Sequence, residues 1–481
     1  MNKSRSKTIS ILLIAGIAIS SLGSCSSTVT NQVNQNLPLP TTAETVSPGL
    51  KVISEVHVDT RLEDLTMTTP ALSFPVSAYV LLPTNYNQNP TKRYPVIYVL
   101  HGGSPGPNTG LEYREWIDAG AIVQDTANLD VICVFPQAGS GGWYTNWFNN
   151  GKGGSPEWET FHVDQLVPYV DQTYRTISNR NGRALLGESM GGYGVMEYAS
   201  RHPDLFGTAA AFSGAVDIGN PPEIAGPKAS LIVGIMASGD GGTPTSPFGS
   251  FENNEIVWRN HDPADLVQNL KDTNLYLYCG NGTPGPLDTP ETVSDFSKGI
   301  EQIVYESNLG FEEQLAAYHI PAFIDNYGAG THSWPYWRRD LIDVLPRIMN
   351  DFKSTKPWPN QVTYTTADSS FSQWGYSVSF QRKVSEFATL SEAGESGFNL
   401  SGSGIAVVTT PTFYPPTSNH SVAVTAIVSN QHSSETQIVK SDSEGRLTVT
   451  INLGPSNSIT EYSPGWSLKD TKVFQVKVTI K

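Results

Sequence analysis

A serine in a glycine-rich turn carries the strongest chemical signal in this sequence. Ser189 lies in the run Gly-Glu-Ser-Met-Gly-Gly (187–192), after a short apolar segment and before an apolar helical pattern. Small residues flank a serine at such a strand-to-helix turn because the chain bends sharply there, which raises the hydroxyl above the sheet. We therefore predict that Ser189 is a nucleophile and that the Met190 N–H, at a helix N-terminus, faces a developing oxyanion.

A histidine base must accompany this serine, because a hydroxyl is a weak nucleophile at its own pKa. In the hydrolase folds that carry this turn, the order along the chain is serine, acid, histidine. Six of the nine histidines follow Ser189, namely His202, His261, His319, His332, His420 and His432. His332 lies in Gly-Ala-Gly-Thr-His-Ser-Trp (328–334), a glycine-rich loop between a short strand and a helical pattern. The sequence therefore predicts His332 as the base.

The acid that orients the base is expected between Ser189 and His332 in this order. Spacing alone favours Asp288, because it lies in Pro-Leu-Asp (286–288), shortly after the apolar run at 275–279.

The elements around these residues follow an α/β pattern from about 51 to 352. Unbroken apolar runs at 96–100, 131–135, 184–186 and 275–279 each end near glycine or proline. Such runs suit strands that are buried on both faces, and helical patterns such as 158–169 and 190–200 lie between them. The region is predicted to be a doubly wound, mostly parallel sheet.

The C-terminal part has a different texture. Apolar residues alternate with polar ones near 422–428, 447–453 and 476–480, and turn residues separate these segments. This alternation predicts an antiparallel β-sandwich over 361–481, joined to the first domain by a linker at 353–360.

The N-terminus has the pattern of an export signal. Basic Lys3, Arg5 and Lys7 precede an uncharged apolar stretch, and Leu-Gly-Ser-Cys (22–25) follows it. This run resembles the lipobox of bacterial lipoproteins, which implies a signal peptide over 1–24 and a lipidated Cys25. A plain signal peptide with an incidental cysteine is the alternative. Residues 25–50 are predicted to be a disordered tether that links a membrane anchor to the folded chain.

Length and composition narrow the function further. The 481 residues exceed one ordinary core, and 38% hydrophobic residues are enough to bury more than one. The formal charge is −15 at pH 7, so nucleic acid is not expected as a partner. Three cysteines cannot form a disulfide framework.

Several longer motifs resemble the mycolyltransferase branch of the esterase D-like family. They are Leu-Tyr-Leu-Tyr-Cys-Gly-Asn-Gly-Thr-Pro (275–284), Ser-Asn-Leu-Gly-Phe (307–311), Gly-Thr-His-Ser-Trp-Pro-Tyr-Trp (330–337) and Trp-Glu-Thr-Phe (158–161). The resemblance covers roughly Val52 to Asn350. It implies an α/β-hydrolase with a Ser-Glu-His triad, in a family that includes envelope acyltransferases and simple carboxylesterases.

The resemblance also assigns individual residues. The glutamate of the family lies six residues before Ser-Asn-Leu, which is Glu301 here, and Asp288 remains the alternative. The family's oxyanion loop corresponds to His-Gly-Gly (101–103), so the Gly103 N–H is expected to be the second oxyanion donor. Trp334 matches a tryptophan of the acceptor site, although a rim or core aromatic is the alternative.

The chain departs from the mycolyltransferases at one turn. Their Asp-Gly-Leu-Arg, whose charged side chains help to hold the trehalose acceptor, corresponds to His-Gly-Gly-Ser (101–104). The loss of both charges favours hydrolysis, or transfer to another acceptor.

No metal site is expected, because no His-x-x-x-His or cysteine pair accompanies His101, and no cofactor is needed. Gly-Asn-Gly-Thr-Pro-Gly (280–285) matches the dinucleotide-binding pattern G-x-G-x-x-G. Dinucleotide binding is not expected, because a proline interrupts the run and no helical pattern follows it directly. Trp143, Tyr144, Trp147 and Phe148 are interpreted as satellite core or as a clasp for a sugar or acyl chain.

Taken together, the residues and the resemblance predict a secreted, lipid-anchored serine esterase. It would hydrolyse or transfer acyl groups of carboxylic esters, acyl lipids or glycolipids through Ser189, His332 and Glu301. The alternatives are a mycolyltransferase-like envelope acyltransferase and a non-catalytic surface protein that uses an esterase scaffold for carbohydrate binding or adhesion.

Overall fold

The computed structural model describes residues 49–481 apart from 105, 220–224, 355, 429–430 and 470. The predicted signal peptide, Cys25 and nearly all of the tether lie outside these residues. Among the helices that are described, none combines the length and the apolar character needed to cross a bilayer.

A mixed sheet forms the centre of the first region. Within the described residues it has nine strands: β1 (Lys51–His57), β2 (Leu62–Thr68), β3 (Val76–Leu81), β4 (Val96–Leu100), β5 (Ile132–Pro136), β6 (Arg183–Glu188), β7 (Thr208–Phe212), β8 (Asn274–Gly280) and β9 (Phe323–Gly328). Their order is β1-β2-β3-β5-β4-β6-β7-β8-β9. The pairs from β5 through β4 to β9 are parallel, whereas β1, β2 and β3 add antiparallel pairs at one side.

Helices lie along this sheet. They are α1 (Glu115–Asp118), α2 (Ile122–Asp125), a π-helix (Thr160–Leu166) that continues into α3 (Val167–Thr173), α4 (Met190–Arg201), α5 (Ala225–Gly239), α6 (Phe251–Asn260), α7 (Asp295–Ala317) and α8 (Trp334–Asp351). Short 3₁₀ segments cover Tyr86–Gln88, Glu112–Arg114, Asn149–Gly151, Arg180–Gly182 and Val267–Leu270.

The central strands are buried on both faces, as the unbroken apolar runs predict. In β4, Val96, Tyr98 and Leu100 face one hydrophobic core, while Ile97 and Val99 face the other. Alternate side chains of a strand point to opposite faces, so both faces need apolar residues. The predicted α/β-hydrolase fold with a doubly wound sheet is confirmed.

The C-terminal region is all β. Its strands are β10 (Val362–Thr366), β11 (Ser370–Gln373), β12 (Tyr376–Gln381), β13 (Ala388–Gly394), β14 (Gly397–Gly402), β15 (Ile405–Thr409), β16 (Asn419–Val428), β17 (Gln431–Lys440), β18 (Thr448–Asn452) and β19 (Phe474–Ile480). They form two antiparallel sheets, β10-β13-β14-β19-β16-β17 and β11-β12-β15-β18. Alternating residues such as Val449 and Ile451 contribute to a separate core, which confirms the predicted sandwich.

The sandwich contacts the C-terminal end of α4. The Tyr364 hydroxyl donates to the Arg201 carbonyl at 3.0 Å, and the Trp374 N–H donates to the Asp204 carboxylate at 2.9 Å. The predicted linker lies between the end of α8 at Asp351 and the start of β10 at Val362. Helix α4 therefore connects the sandwich, at one end, with Ser189 at the other.

Candidate active site

Ser189 lies on the turn between β6 and α4 in a backbone conformation that few side chains adopt. Its φ is 56° and its ψ is −120°. The turn is possible because the backbones around it approach closely: a Cβ on Gly191 would lie 2.3 Å from the Leu100 carbonyl oxygen. Positive φ at a non-glycine residue costs free energy and persists only where the surrounding structure imposes it. The sharp turn that the glycines predict is present.

A chain of hydrogen bonds joins Ser189, His332 and Glu301. His332 Nε2 lies 2.8 Å from the Ser189 Oγ, and His332 Nδ1 lies 2.7 Å from Glu301 Oε2. A carboxylate can only accept, so Nδ1 carries the proton and Nε2 is free to accept from the hydroxyl. The arrangement can take a proton from Ser189 and stabilise the imidazolium that results.

Glu301 projects from α7 and is fully buried. Its second oxygen, Oε1, accepts hydrogen bonds from the Gly280 N–H at 2.7 Å and from the Ser213 hydroxyl at 2.9 Å. These donors fix the carboxylate in one orientation and satisfy lone pairs that would otherwise be buried without partners. The glycine-rich run that imitates a dinucleotide motif thus supplies a backbone donor to Glu301.

Asp288, the alternative acid, lies in the loop between β8 and α7. Its carboxylate accepts from the Gly285 N–H at 2.8 Å, from the Tyr336 hydroxyl at 3.1 Å and from the Thr331 hydroxyl. These contacts hold the residue next to His332 and leave His332 Nδ1 to Glu301. The carboxylate that spacing alone favours, Asp288, therefore stabilises the loops around His332 and does not contact its imidazole.

Aromatic rings fix the imidazole from the side. The Trp337 ring meets His332 edge-on, with centroids 4.9 Å apart, and its Nε1–H donates to the Ser213 hydroxyl at 3.1 Å. Trp334 is half-buried and packs against Trp337 and Trp116, with centroids 5.2 Å apart in both pairs. Trp334 thus contacts the ring that contacts His332, in a cluster of three tryptophans that meet edge to face.

The two residues whose amides are expected to bind an oxyanion, Gly103 and Met190, are neighbours in space. A Cβ on Gly103 would lie 3.4 Å from the Met190 Cβ, so the backbones are adjacent. Met190 begins α4, where the first N–H groups have no partner within the helix. His101, at the start of the same loop, is buried, and its Nε2 accepts the Ala138 N–H at 2.9 Å.

An apolar cleft opens beside the Ser189 hydroxyl. Its walls come from α5, α7 and the loops after β5 and β7, and they include Trp143, Met190, Ala215, Ile218, Ile232, Val233, Met236, Ile300, Ile303 and Val304. Asp217, Glu306 and Ser307 add polar groups to the same cleft. Such a surface suits the hydrocarbon part of an acyl group better than a charged group.

The aromatic run at 143–148 is mainly core. Trp143, Tyr144 and Trp147 are buried, and Trp143 also lines the cleft. Cys133 in β5 and Cys279 in β8 are buried free thiols.

Sequence reasoning missed two supporting residues. Ser213 follows β7 and has a φ of 46°, and Trp337 lies one helical turn after Trp334. A small polar residue directly after a buried strand, in Phe-Ser-Gly (212–214), was the available signal for Ser213. Nothing in the local pattern indicates that Trp337 contacts the imidazole.

The family described as "Putative esterase" matches residues 69–348. This match covers more than half of the chain, so the protein belongs to that family. The predicted resemblance is confirmed.

Individual relatives are similar over the same region. Esterase Rv1288 of Mycobacterium tuberculosis is 28% identical over 301 residues, which are 62% of this chain and 62% of that protein. The diacylglycerol acyltransferase/mycolyltransferase Ag85B of Mycobacterium avium is 33% identical over 53% of this chain and 74% of its own. The chain thus spans less than two thirds of the length of the first relative.

Among solved structures, Mycobacterium tuberculosis MPT51 (FbpC1) aligns with a TM-score of 0.49 and 22% identity. The alignment covers 61% of this chain and all of that one.

Proposed function

We propose that this protein is a serine esterase that forms an acyl-enzyme on Ser189. The observation that carries the proposal is the hydrogen-bonded path from the Ser189 hydroxyl through His332 to buried Glu301. Membership of the esterase family supports the same chemistry.

In the proposed reaction, Ser189 Oγ attacks the acyl carbon while His332 Nε2 takes the hydroxyl proton. The Gly103 and Met190 amides stabilise the oxyanion of the tetrahedral intermediate. His332 then gives the proton to the leaving alcohol, and the ester bond breaks. A water molecule, activated in turn by His332, releases the acid and restores the serine.

The substrate we propose is a carboxylic ester with an apolar acyl chain, because the cleft beside Ser189 has mainly hydrocarbon walls. Acyl transfer to an alcohol is the second candidate. It is favoured by the similarity to proteins named diacylglycerol acyltransferase/mycolyltransferase. The uncharged His-Gly-Gly-Ser turn supports water as the acceptor.

The test uses purified protein and p-nitrophenyl acyl esters of increasing chain length. Ser189→Ala should lower kcat by about 10³-fold or more, and it should abolish labelling by a fluorophosphonate probe. Hydrolysis that persists in Ser189→Ala would overturn the mechanism. A wild-type protein that neither hydrolyses nor labels would favour the binding-protein alternative. Adding glycerol or trehalose distinguishes the acceptors, since transfer yields an acylated alcohol.

We further propose that the chain is exported and anchored to a membrane by lipid at Cys25. The support is the basic, apolar and Leu-Gly-Ser-Cys pattern of its first 25 residues. Cys25→Ser should move the protein from the membrane fraction to the soluble fraction of a bacterial expression host and abolish incorporation of labelled palmitate. Retention in the membrane fraction would contradict the anchor.

A further inference from the structure

Glu188 directly precedes the proposed nucleophile. It takes no part in the proton relay of Ser189, His332 and Glu301. It ends β6 and is buried, with 1% of its surface exposed. Its Oε1 has no hydrogen-bond partner among the described residues. Burying a carboxyl oxygen without a hydrogen-bond partner destabilises the folded state, so a functional reason for this residue is sought.

The Glu188 carboxyl lies against the loop that carries Gly103. A Cβ on Gly102 would lie 2.5 Å from Glu188 Oε2 and 2.6 Å from Oε1, so only glycine permits this approach. The Gly102 N–H interacts with the carboxyl groups of both Glu188 and Glu115. Two carboxyls therefore meet at one backbone amide of the loop.

The opposite side of the loop is held by His101. Because His101 Nε2 accepts the Ala138 N–H, Nδ1 carries the proton and donates to the Gly102 carbonyl at 2.6 Å. In a planar trans peptide, the Gly102 carbonyl and the Gly103 N–H point in opposite directions. The Gly103 N–H thus points away from the His101 ring. His101 holds the Gly102–Gly103 peptide by its carbonyl, and the carboxyls of Glu188 and Glu115 contact the N–H of the preceding peptide.

Resting on the function proposed above, we propose that Glu188 is a positioning residue, whose carboxyl holds the Gly102–Gly103 loop so that the Gly103 N–H meets the oxyanion. An ionised Glu188 would place negative charge against Gly102, one residue before the amide that is proposed to bind the oxyanion. The transition state would then be destabilised by repulsion in a poorly solvated site.

The surroundings of Glu188 disfavour its charged form. Burial raises the pKa of Glu188 well above its usual range, the charge of Glu115 raises it further, and the Gly102 N–H opposes both effects. Burial and the neighbouring Glu112 raise the pKa of Glu115 to about 7. Besides these carboxyls, the titratable groups that face the cluster are His101 and Tyr144, whose pKa values burial shifts towards their neutral forms.

The experiment compares kcat and KM across pH for four variants, with the Ser189→Ala rate subtracted as the blank. Glu188→Met fills the same space without an acceptor and should lower kcat about 100-fold with little change in KM, as removal of one oxyanion donor does. Glu188→Gln keeps an acceptor oxygen and should recover at least about tenfold of that loss. Glu313→Gln, on the exposed side of α7, is the matched carboxyl-to-amide control.

The pH dependence separates this role from simple packing. Wild-type kcat should fall where rising pH ionises Glu188, and Glu188→Gln should lack this fall. Glu115→Gln removes the neighbouring charge, so the fall should move to lower pH. The proposal is overturned if Glu188→Met keeps the wild-type kcat, if Glu188→Gln is as slow as Glu188→Met, or if the fall in kcat occurs at the same pH in Glu115→Gln as in the wild type. An inactive wild type would overturn the esterase proposal as well, whereas these three outcomes leave it intact.

Discussion

The two ends of helix α4 carry similar groups and form different sites. At its N-terminal end, Ser189 meets His332, which pairs with Glu301 at 2.7 Å. At its C-terminal end, His202 pairs with Glu159 at 2.8 Å, and His261 pairs with Glu197 at 2.6 Å. A close histidine–carboxylate pair is therefore not by itself a sign of catalysis in this fold.

The partners of each pair make the difference. Glu159 and Glu197 both contact Arg201, which also reaches Asp368 of the sandwich at 3.2 Å. Arginine neutralises these carboxylates and ties them to the second domain. The His332–Glu301 pair instead faces a hydroxyl on a strained turn beside an open cleft. The difference between the two ends is therefore the group that contacts the imidazole besides its carboxylate, which at His332 is the Ser189 hydroxyl.

The largest effect should come from breaking the pair at the N-terminal end. Glu301→Gln removes the carboxylate that orients His332 and stabilises its charged form, so kcat should fall by about 10³-fold or more. Asp288→Asn, which alters a loop support, should change kcat by less than about tenfold. Steady-state kinetics on a p-nitrophenyl ester measures both. Equal losses in the two variants would contradict the assignment of Glu301.

Breaking the cluster at the C-terminal end should affect stability. Arg201→Met leaves Glu159 and Glu197 buried without their cation, which should lower the free energy of unfolding by about 3 kcal/mol. The kcat of the folded protein should change little, because Ser189 lies at the far end of the helix. Urea denaturation and kinetics measure the two quantities.

Arg114→Met is the matched control for that variant. Arg114 forms an exposed pair with Asp118 at 3.4 Å, and such pairs contribute about 0.5 kcal/mol or less. If Arg201→Met is no more destabilising than this control, the cluster is not what joins the domains.

The smallest effect should be a pH dependence of stability that His202 introduces. Burial disfavours the charged imidazole, but the hydrogen bond and charge of Glu159 outweigh burial and raise the pKa of His202 above 6.5. A raised pKa stabilises the folded state fully below the pKa of the unfolded chain, and this contribution is lost as pH rises through the folded value. Wild-type stability should therefore decline from neutral to alkaline pH more steeply than that of His202→Gln. Urea denaturation at several pH values tests this, and parallel curves would exclude His202 as the source.

Much of the fold could be predicted because its signals are local. Unbroken apolar runs specify strands buried on both faces, as in β4, and alternating runs specify the sandwich strands, as in β18. The turn at Ser189 was predictable because the glycines that permit it lie within a few residues of the serine. Asp288 shows the limit of this approach, since its spacing is suitable and its side chain serves the loop instead.

The sequence by itself determined which residue types were available: a serine on a sharp turn, a histidine in a glycine-rich loop and two strand textures for two domains. The tertiary structure alone decided which carboxylate meets which imidazole. Glu301 reaches His332, Glu159 reaches His202, and Glu188 reaches Gly102, across separations that no local pattern encodes. The physical reason is that burial, hydrogen-bond geometry and the charge of neighbouring groups depend on distances in space, and only the packed chain specifies those distances.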